Sequence, residues 1–236
     1  MTIPVDLAMT AGEMQNCPHL PRHPAWMACH FSPSGSGLCN LPAWLPEGAV
    51  IMLDDAIAPA GHDPQRICQE LSQCQSQHRC AGVLLDFQRP DDPETARLAA
   101  YLTQCLPCPV TVTAAYAQNC DAAVLLPPLP HDCPLDRWAA PWKGRQLWLE
   151  LDFAPEIVTL SRRGADRHPG TQVPKDGFPD PVLCCHYTHS LQDDQVVFTL
   201  WRTREDWQTL LEKGRELGIV RAVGLYQQAA GTDLSQ

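Results

Sequence analysis

The residues with chemistry to offer fall at the ends of short apolar runs. Ala49-Val50-Ile51-Met52-Leu53 runs into Asp54-Asp55, and Gly82-Val83-Leu84-Leu85 into Asp86-Phe87-Gln88. Pro109–Thr113 leads to Tyr116, Gln146–Leu149 to Glu150-Leu151-Asp152, and Arg221–Leu225 to Tyr226-Gln227. Carboxylates brought together in this way can divide acid and base roles between them, because each one alters the proton affinity of the next. Gln88 and Gln227 can donate and accept hydrogen bonds but cannot deliver a proton. Phe87, Tyr116 and Tyr226 offer flat faces on which a ring can stack. A single acid at a strand end reads as solvation or as the cap of the next helix. The set carries more weight, because strands of one sheet would converge their acids on one place.

The elements that position these residues follow from periodicity. Nearly continuous apolar runs of four to eight residues are the pattern of strands buried on both faces. Six runs are clear: the five above and Ala122–Leu126. Two weaker ones lie near Ile3–Met9 and Ala25–Phe31. Three helices are well punctuated. Asp63-Pro64 and Asp92-Pro93 each pair an N-cap with Pro at the first helical position. Thr203 with Asp206 resembles a capping box, and Gly218 ends the helix that follows. Strands alternating with helices imply a parallel sheet. Eight of them predict an α/β fold, a lean (β/α)8 TIM-type barrel over residues 1–236 as a single domain, with some helices replaced by loops. The alternative is an open doubly wound sheet. Segment 163–202 reads as an inserted loop and hairpin. Its first part is rich in Gly, Pro and charge, and Val182–Thr188 and Val196–Arg202 pair across Gln192-Asp193-Asp194-Gln195 before the last helix.

Composition narrows the function classes. The chain has 236 residues and a net charge of −10, which argues against nucleic acid as the main partner. The 23 prolines suit a barrel with loops in place of helices. No run is apolar and long enough to span a membrane, and no basic N-terminal segment leads an apolar signal core. The expectation is a cytoplasmic protein whose 12 cysteines are free thiols. Cys105-Leu-Pro-Cys108 lies at the end of the second helix, the wrong end for a redox thiol pair. A zinc site would need two more ligands, for which Cys184-Cys185-His186 is the candidate. The expectation is no metal and no cofactor.

The decapeptide Ala81-Gly82-Val83-Leu84-Leu85-Asp86-Phe87-Gln88-Arg89-Pro90 resembles the fourth-strand signature of the chitinase-like glycoside hydrolases of family 18, D-G-x-D-x-D-W-E-x-P. Gly82, Val83, Asp86, Phe87 and Pro90 match. Ala81, Leu84 and Gln88 stand where the family has Asp, Asp and the catalytic Glu. The resemblance extends from Ala49 to Gln228 in order and spacing, with Tyr226 in place of the family's closing Trp. Asp121–Pro130 lacks the family's Met-x-Tyr-Asp ending. In such enzymes the sugar's acetamide attacks its own anomeric carbon, one Asp orients the acetamide, and a Glu protonates the leaving oxygen. The resemblance gives Asp86 the orienting role and leaves Gln88 in the acid's place without a proton. It implies a barrel that binds an N-acetylglucosamine-type glycan and hydrolyses it little. Phe87, Tyr116, Tyr226, Gln227, Asp54 and Asp55 would line its site. Two rivals remain. One is an active glycosidase whose acid has moved to Asp54, Asp55, Glu150 or Asp152. The other is a barrel that serves as a scaffold.

Overall fold

A computed structural model describes residues 3–35, 37–89, 92–192 and 194–229. Pro90 of the decapeptide and Asp193 of the hairpin turn lie outside the described residues. Eight parallel strands form the centre: β1 (Val5–Met9), β2 (Pro24–Phe31), β4 (Val50–Asp54), β5 (Gly82–Asp86), β6 (Val110–Thr113), β7 (Ala123–Leu126), β8 (Leu147–Leu151) and β14 (Ile219–Leu225). Each pairs with the next, β14 pairs with β1, and β1 pairs with β2, so the sheet closes into a barrel. The short β3 (Leu38–Cys39) adds to β2 antiparallel. The TIM-type expectation holds, including the two weak strands, and the open sheet is excluded.

Period-two alternation sorts the side chains. Ala8, Ala25, Val50, Met52, Leu84, Leu125, Trp148 and Val223 fill the lumen. Val83, Leu85 and Phe87 point the other way, into a core shared with Ile67, Leu71, Leu98 and Leu102. Those four sit on the two long early helices, α2 (Pro64–His78) and α3 (Pro93–Cys105). Asp63 and Asp92 cap them as the sequence predicts, each accepting from the second backbone N–H beyond it. Gly82 begins β5 where a Cβ would meet the Pro109 carbonyl oxygen at 2.6 Å, a close approach that only glycine permits. The other connections are slight. They comprise a six-residue α1 (Ala11–Asn16), a five-residue α4 (Leu135–Ala139), and single 3-10 turns at Ala117–Asn119 and Ala140–Trp142. The chain ends its described part with α5 (Arg204–Glu216), capped by a Thr203–Asp206 box, then β14 and α6 (Tyr226–Ala229). Among the described residues no helix is long and apolar enough to cross a membrane.

The insertion is larger than a loop and a hairpin. The expected hairpin is present as β12 (Cys185–Gln192) and β13 (Gln195–Trp201). It belongs to a five-stranded antiparallel sheet with β9 (Glu156–Ser161), β10 (Gly164–Pro169) and β11 (Phe178–Asp180). Strand β10 falls in the segment read as loop. Every residue of it is exposed, so it has no apolar alternation to read. The sheet has its own small core of Val158, Cys185 and Leu200. Arg202 ties it to the barrel by donating to the carbonyls of Leu129 and Pro130 at 3.0 and 3.2 Å. Arg167 joins Asp132 and Glu156.

Candidate binding site at the barrel mouth

The C-terminal ends of parallel strands form the open end of such a barrel, where side chains from several strands meet. Register sets Asp54 beside Asp86, and His30 beside Asp54. The His30 placement depends on a bulge in β2. Trp26 pairs with Ile51 but Cys29 pairs with Leu53, so one extra residue is absorbed between them. His30 thereby comes into the same row as Asp54, and its Nδ1 lies 2.5 Å from Asp54 Oδ2. Ala56 N–H donates to Asp54 Oδ1 at 2.9 Å. Gln88 Nε2 donates to Asp86 Oδ1 at 2.6 Å. The mouth thus carries a row His30, Asp54, Asp86, Gln88 across three adjacent strands.

Three strands further round, Glu150 faces the same lumen, two residues beyond Trp148. Among the described residues it makes no hydrogen bond. Burial pushes its carboxyl up to about 7, and the charges of Asp86 and Asp152 push the same way. Asp86 is also raised, first by burial. The Gln88 hydrogen bond offsets part of that, while Asp54 and Asp55 add to it. Asp152 turns its Oδ1 to the backbone N–H of Ala154 at 3.0 Å. The mouth is therefore an acidic basin in which burial and neighbouring carboxylates raise the proton affinity of Glu150 and Asp86.

Three expected site residues sit elsewhere. Asp55 is 3% exposed. Its two oxygens accept from the backbone N–H groups of Gln88 and Arg89 at 2.8 and 2.9 Å. Arg89 returns Nε to the Asp55 carbonyl at 2.7 Å. Asp55 fixes the loop that carries Gln88, and its burial keeps its oxygens away from a ligand. Phe87 is fully buried, with its ring centroid 6.0 Å from that of Phe31 and 6.2 Å from that of Tyr116. Tyr116 is 7% exposed and its hydroxyl donates to the Arg89 carbonyl. Both rings are core on the outer side of the barrel wall, so neither can stack on a sugar in the lumen. The cause is parity: Leu84, Asp86 and Gln88 share one face of the strand and Phe87 takes the other. Tyr226 is half-buried at the rim, its hydroxyl 3.2 Å from Cys17 Sγ, and Gln227 is exposed beside it. Sequence reasoning missed His30, since nothing in Trp26-Met27-Ala28-Cys29 marks the bulge. Among the described residues no group of three His, Cys, Asp or Glu side chains is placed to hold a metal ion.

No protein-family model matches the sequence, and no curated protein matches it. Solved structures do match. A family 18 N-acetylglucosaminidase from Paenibacillus barengoltzii superposes with a TM-score of 0.63 at 12% identity, over 99% of this chain and 98% of that one. The chain has the chitinase-like fold of glycoside hydrolase family 18. A family 18 chitinase from Cycas revoluta, with one of two substitutions being Glu to Gln and with (GlcNAc)4 bound, gives 0.59 at 11% identity over 98% of both chains. A chitinase-like agglutinin from Robinia pseudoacacia gives 0.59 at 12% identity, over 98% and 97%. Enzymes and an agglutinin thus share this chitinase-like barrel.

Proposed function

We propose that the mouth binds an N-acetylhexosamine-containing glycan and hydrolyses it little or not at all. The observation that carries this reading is the Asp86–Gln88 pair. The two side chains face one lumen, hydrogen-bonded at 2.6 Å, at the strand position where the chitinase-like fold's resemblance puts the orienting Asp and the acid. Asp86 can accept an acetamide N–H. Gln88 keeps the shape of the acid and its hydrogen bonds but has no proton to give, a loss of about 10²–10⁴ in rate. The Cycas variant supports the reading, since a chitinase with a Glu changed to Gln is seen holding (GlcNAc)4. The agglutinin is an instance of the fold whose name is not that of a hydrolase. The same reading keeps the chain in the cytoplasm, where its twelve unpaired thiols suit a reducing compartment.

One observation favours a second reading. Glu150 has a carboxyl raised to about 7 and, among the described residues, no hydrogen bond, and the charge of Asp86 is one cause of that rise. Two carboxyls with different proton affinities are what glycoside hydrolysis uses. Of the other relocated acids, Asp54, Asp55 and Asp152 all spend oxygens on backbone N–H groups.

Calorimetry with (GlcNAc)4 separates the readings from failure: heat of binding is expected, and none at millimolar ligand overturns both. Turnover of chromogenic N-acetylglucosamine glycosides separates them from each other. Background turnover is expected, rising at least tenfold in Gln88→Glu. Turnover that is present in the natural chain and lost in Glu150→Gln would establish the second reading instead.

A further inference from the structure

His30 is the residue of the mouth whose placement has no structural reason of its own. Its imidazole is held at one atom, with Nδ1 against Asp54 Oδ2 at 2.5 Å. Asp54 is in turn fixed through Oδ1 by the Ala56 N–H. The His30 side chain remains 30% exposed and that of Asp54 26%, so the pair contributes little to stability. An N–H that donates to a carboxylate fixes which ring nitrogen carries the proton. In the neutral ring that leaves the lone pair on Nε2. Nε2 has no partner among the described residues, and it is not among the buried unpaired atoms. It is an oriented acceptor, open to water, in the same row as Asp86 with Asp54 between them.

The bulge in β2 is the device that produces this arrangement. Without the extra residue Cys29 would stand opposite Asp54, and the imidazole would turn toward the outer core. Among the described residues, Asp54 is the charged group paired with the ring, and the other acids of the mouth lie further round. Asp54 lies on β4, Asp86 on β5 and Glu150 across the lumen. On β3, the Cys39 thiol meets the carbonyls of His30 and Phe31 at 3.6 Å rather than the ring. Arg89, on the loop after β5, directs its guanidinium to the carbonyls of Asp55 and Ala56. The row therefore presents acceptors from His30 to Asp86, with the Gln88 amide Nε2 turned to Asp86. A ligand that brings hydroxyl donors suits it.

We propose that His30 is a ligand-contacting residue of the mouth: its Nε2 accepts a hydroxyl of the bound sugar, and Asp54 is the positioning residue that aims it. This rests on the glycan-binding reading above and adds to it a residue that reads a sugar hydroxyl one strand away from the acetamide site. A protonated ring reverses the role, because Nε2 then donates and the sugar hydroxyl must turn to accept.

The test is a long-range proton–nitrogen spectrum of the histidine rings in the full chain, recorded with and without (GlcNAc)4, with His30 assigned from His30→Gln. Saturating ligand is expected to move the His30 Nε2 resonance. Calorimetry of His30→Gln is expected to give about tenfold weaker binding, the loss of one oriented hydrogen bond. Asp54→Asn is expected to let the ring exchange between tautomers, drawing the two nitrogen resonances together, and to weaken binding severalfold. His168→Gln, on the exposed strand β10, serves as control and should bind as the natural chain does. An Nε2 resonance that stays fixed at saturation, or unchanged affinity in His30→Gln, overturns the proposal while leaving the glycan reading intact. No binding of (GlcNAc)4 by the natural chain overturns both.

Discussion

Two carboxyls in one register row of the barrel, both opposite Val223, are raised in proton affinity but differ in what surrounds them. Asp6, on β1, and Glu150, on β8, are both pushed up to about 7, and burial is the first cause for each. Asp6 is fully buried, and Arg221 Nε stands 2.9 Å from its Oδ2. The guanidinium in turn lies over the Trp148 ring, 5.1 Å from its centroid. The Arg221 charge pulls the Asp6 carboxyl down against burial. Glu150 has no such cation. Its neighbours Asp86 and Asp152 are acids and push it further up. Asp6 belongs to a closed, buried ion pair. Glu150 is an acid without an ion-pair partner among the described residues, set in a group of acids. An unpaired acid held at a cost in stability marks a place where a ligand is met.

The largest effect is expected from breaking the closed pair. Arg221→Met keeps the stem over Trp148 but removes the charge, leaving Asp6 buried without its counter-ion. The expected loss is about 3 kcal/mol at pH 8 by urea unfolding, the usual scale for orphaning a buried partner. Its pH dependence carries the signature. Asp6 binds its proton more tightly folded than unfolded. That contribution is fully present below about pH 4 and is lost as pH rises through about 7. In the variant the penalty should therefore be much smaller at pH 5, where Asp6 takes up a proton, than at pH 8. An equal loss at both pH values would mean that the charge pairing with Asp6 is not what Arg221 contributes.

A smaller effect of opposite sign is expected at the mouth. Glu150→Gln removes a carboxyl that has no partner to lose. The folded pKa of Glu150 lies above its unfolded value, so stability falls as pH rises from about 4.5 through about 7. The amide does not titrate, so that fall should flatten. A gain of about 1–2 kcal/mol at pH 8 and none at pH 4 is expected, discounted for partial exposure. Thermal unfolding at the two pH values measures it. Destabilisation at pH 8 would show that Glu150 has a structural partner and would remove the contrast with Asp6.

Much of this arrangement can be read from the sequence, and the unread part has definite causes. The apolar runs, the Asp-Pro caps and the Thr203–Asp206 box are local signals, and the eight strands and three long helices follow them. Strand parity was also legible: Leu84, Asp86 and Gln88 alternate with Leu85 and Phe87. Applied strictly, that alternation assigns Phe87 to the outer core, and the same holds for Asp55 against Asp54. What cannot be read locally is pairing at a distance. His30 meets a partner 24 residues on, through a bulge that leaves no mark in Trp26-Met27-Ala28-Cys29. Arg221 and Asp6 come from opposite ends of the chain. Strand β10 carries no apolar alternation because both its faces are wet.

Adjacent residues at the mouth repeat the contrast in miniature and allow the finest test of it. Asp54 holds a ring that faces solvent, while Asp55 spends both oxygens on the backbone N–H groups of Gln88 and Arg89. Asp55→Asn keeps one acceptor and turns an NH2 toward the other N–H, so one nearly buried donor loses its partner. A loss of about 1–2 kcal/mol is expected in thermal unfolding. Affinity for (GlcNAc)4 should fall severalfold as well, because the loop that positions Gln88 is no longer pinned. Asp54→Asn should cost less stability than Asp55→Asn, although the two acids are neighbours. A carboxylate engaged at both oxygens supports the fold, and one that aims a solvent-facing ring supports the site. If the two variants prove equally stable, engagement of the oxygens is not what divides structural acids from ligand-facing ones in this barrel.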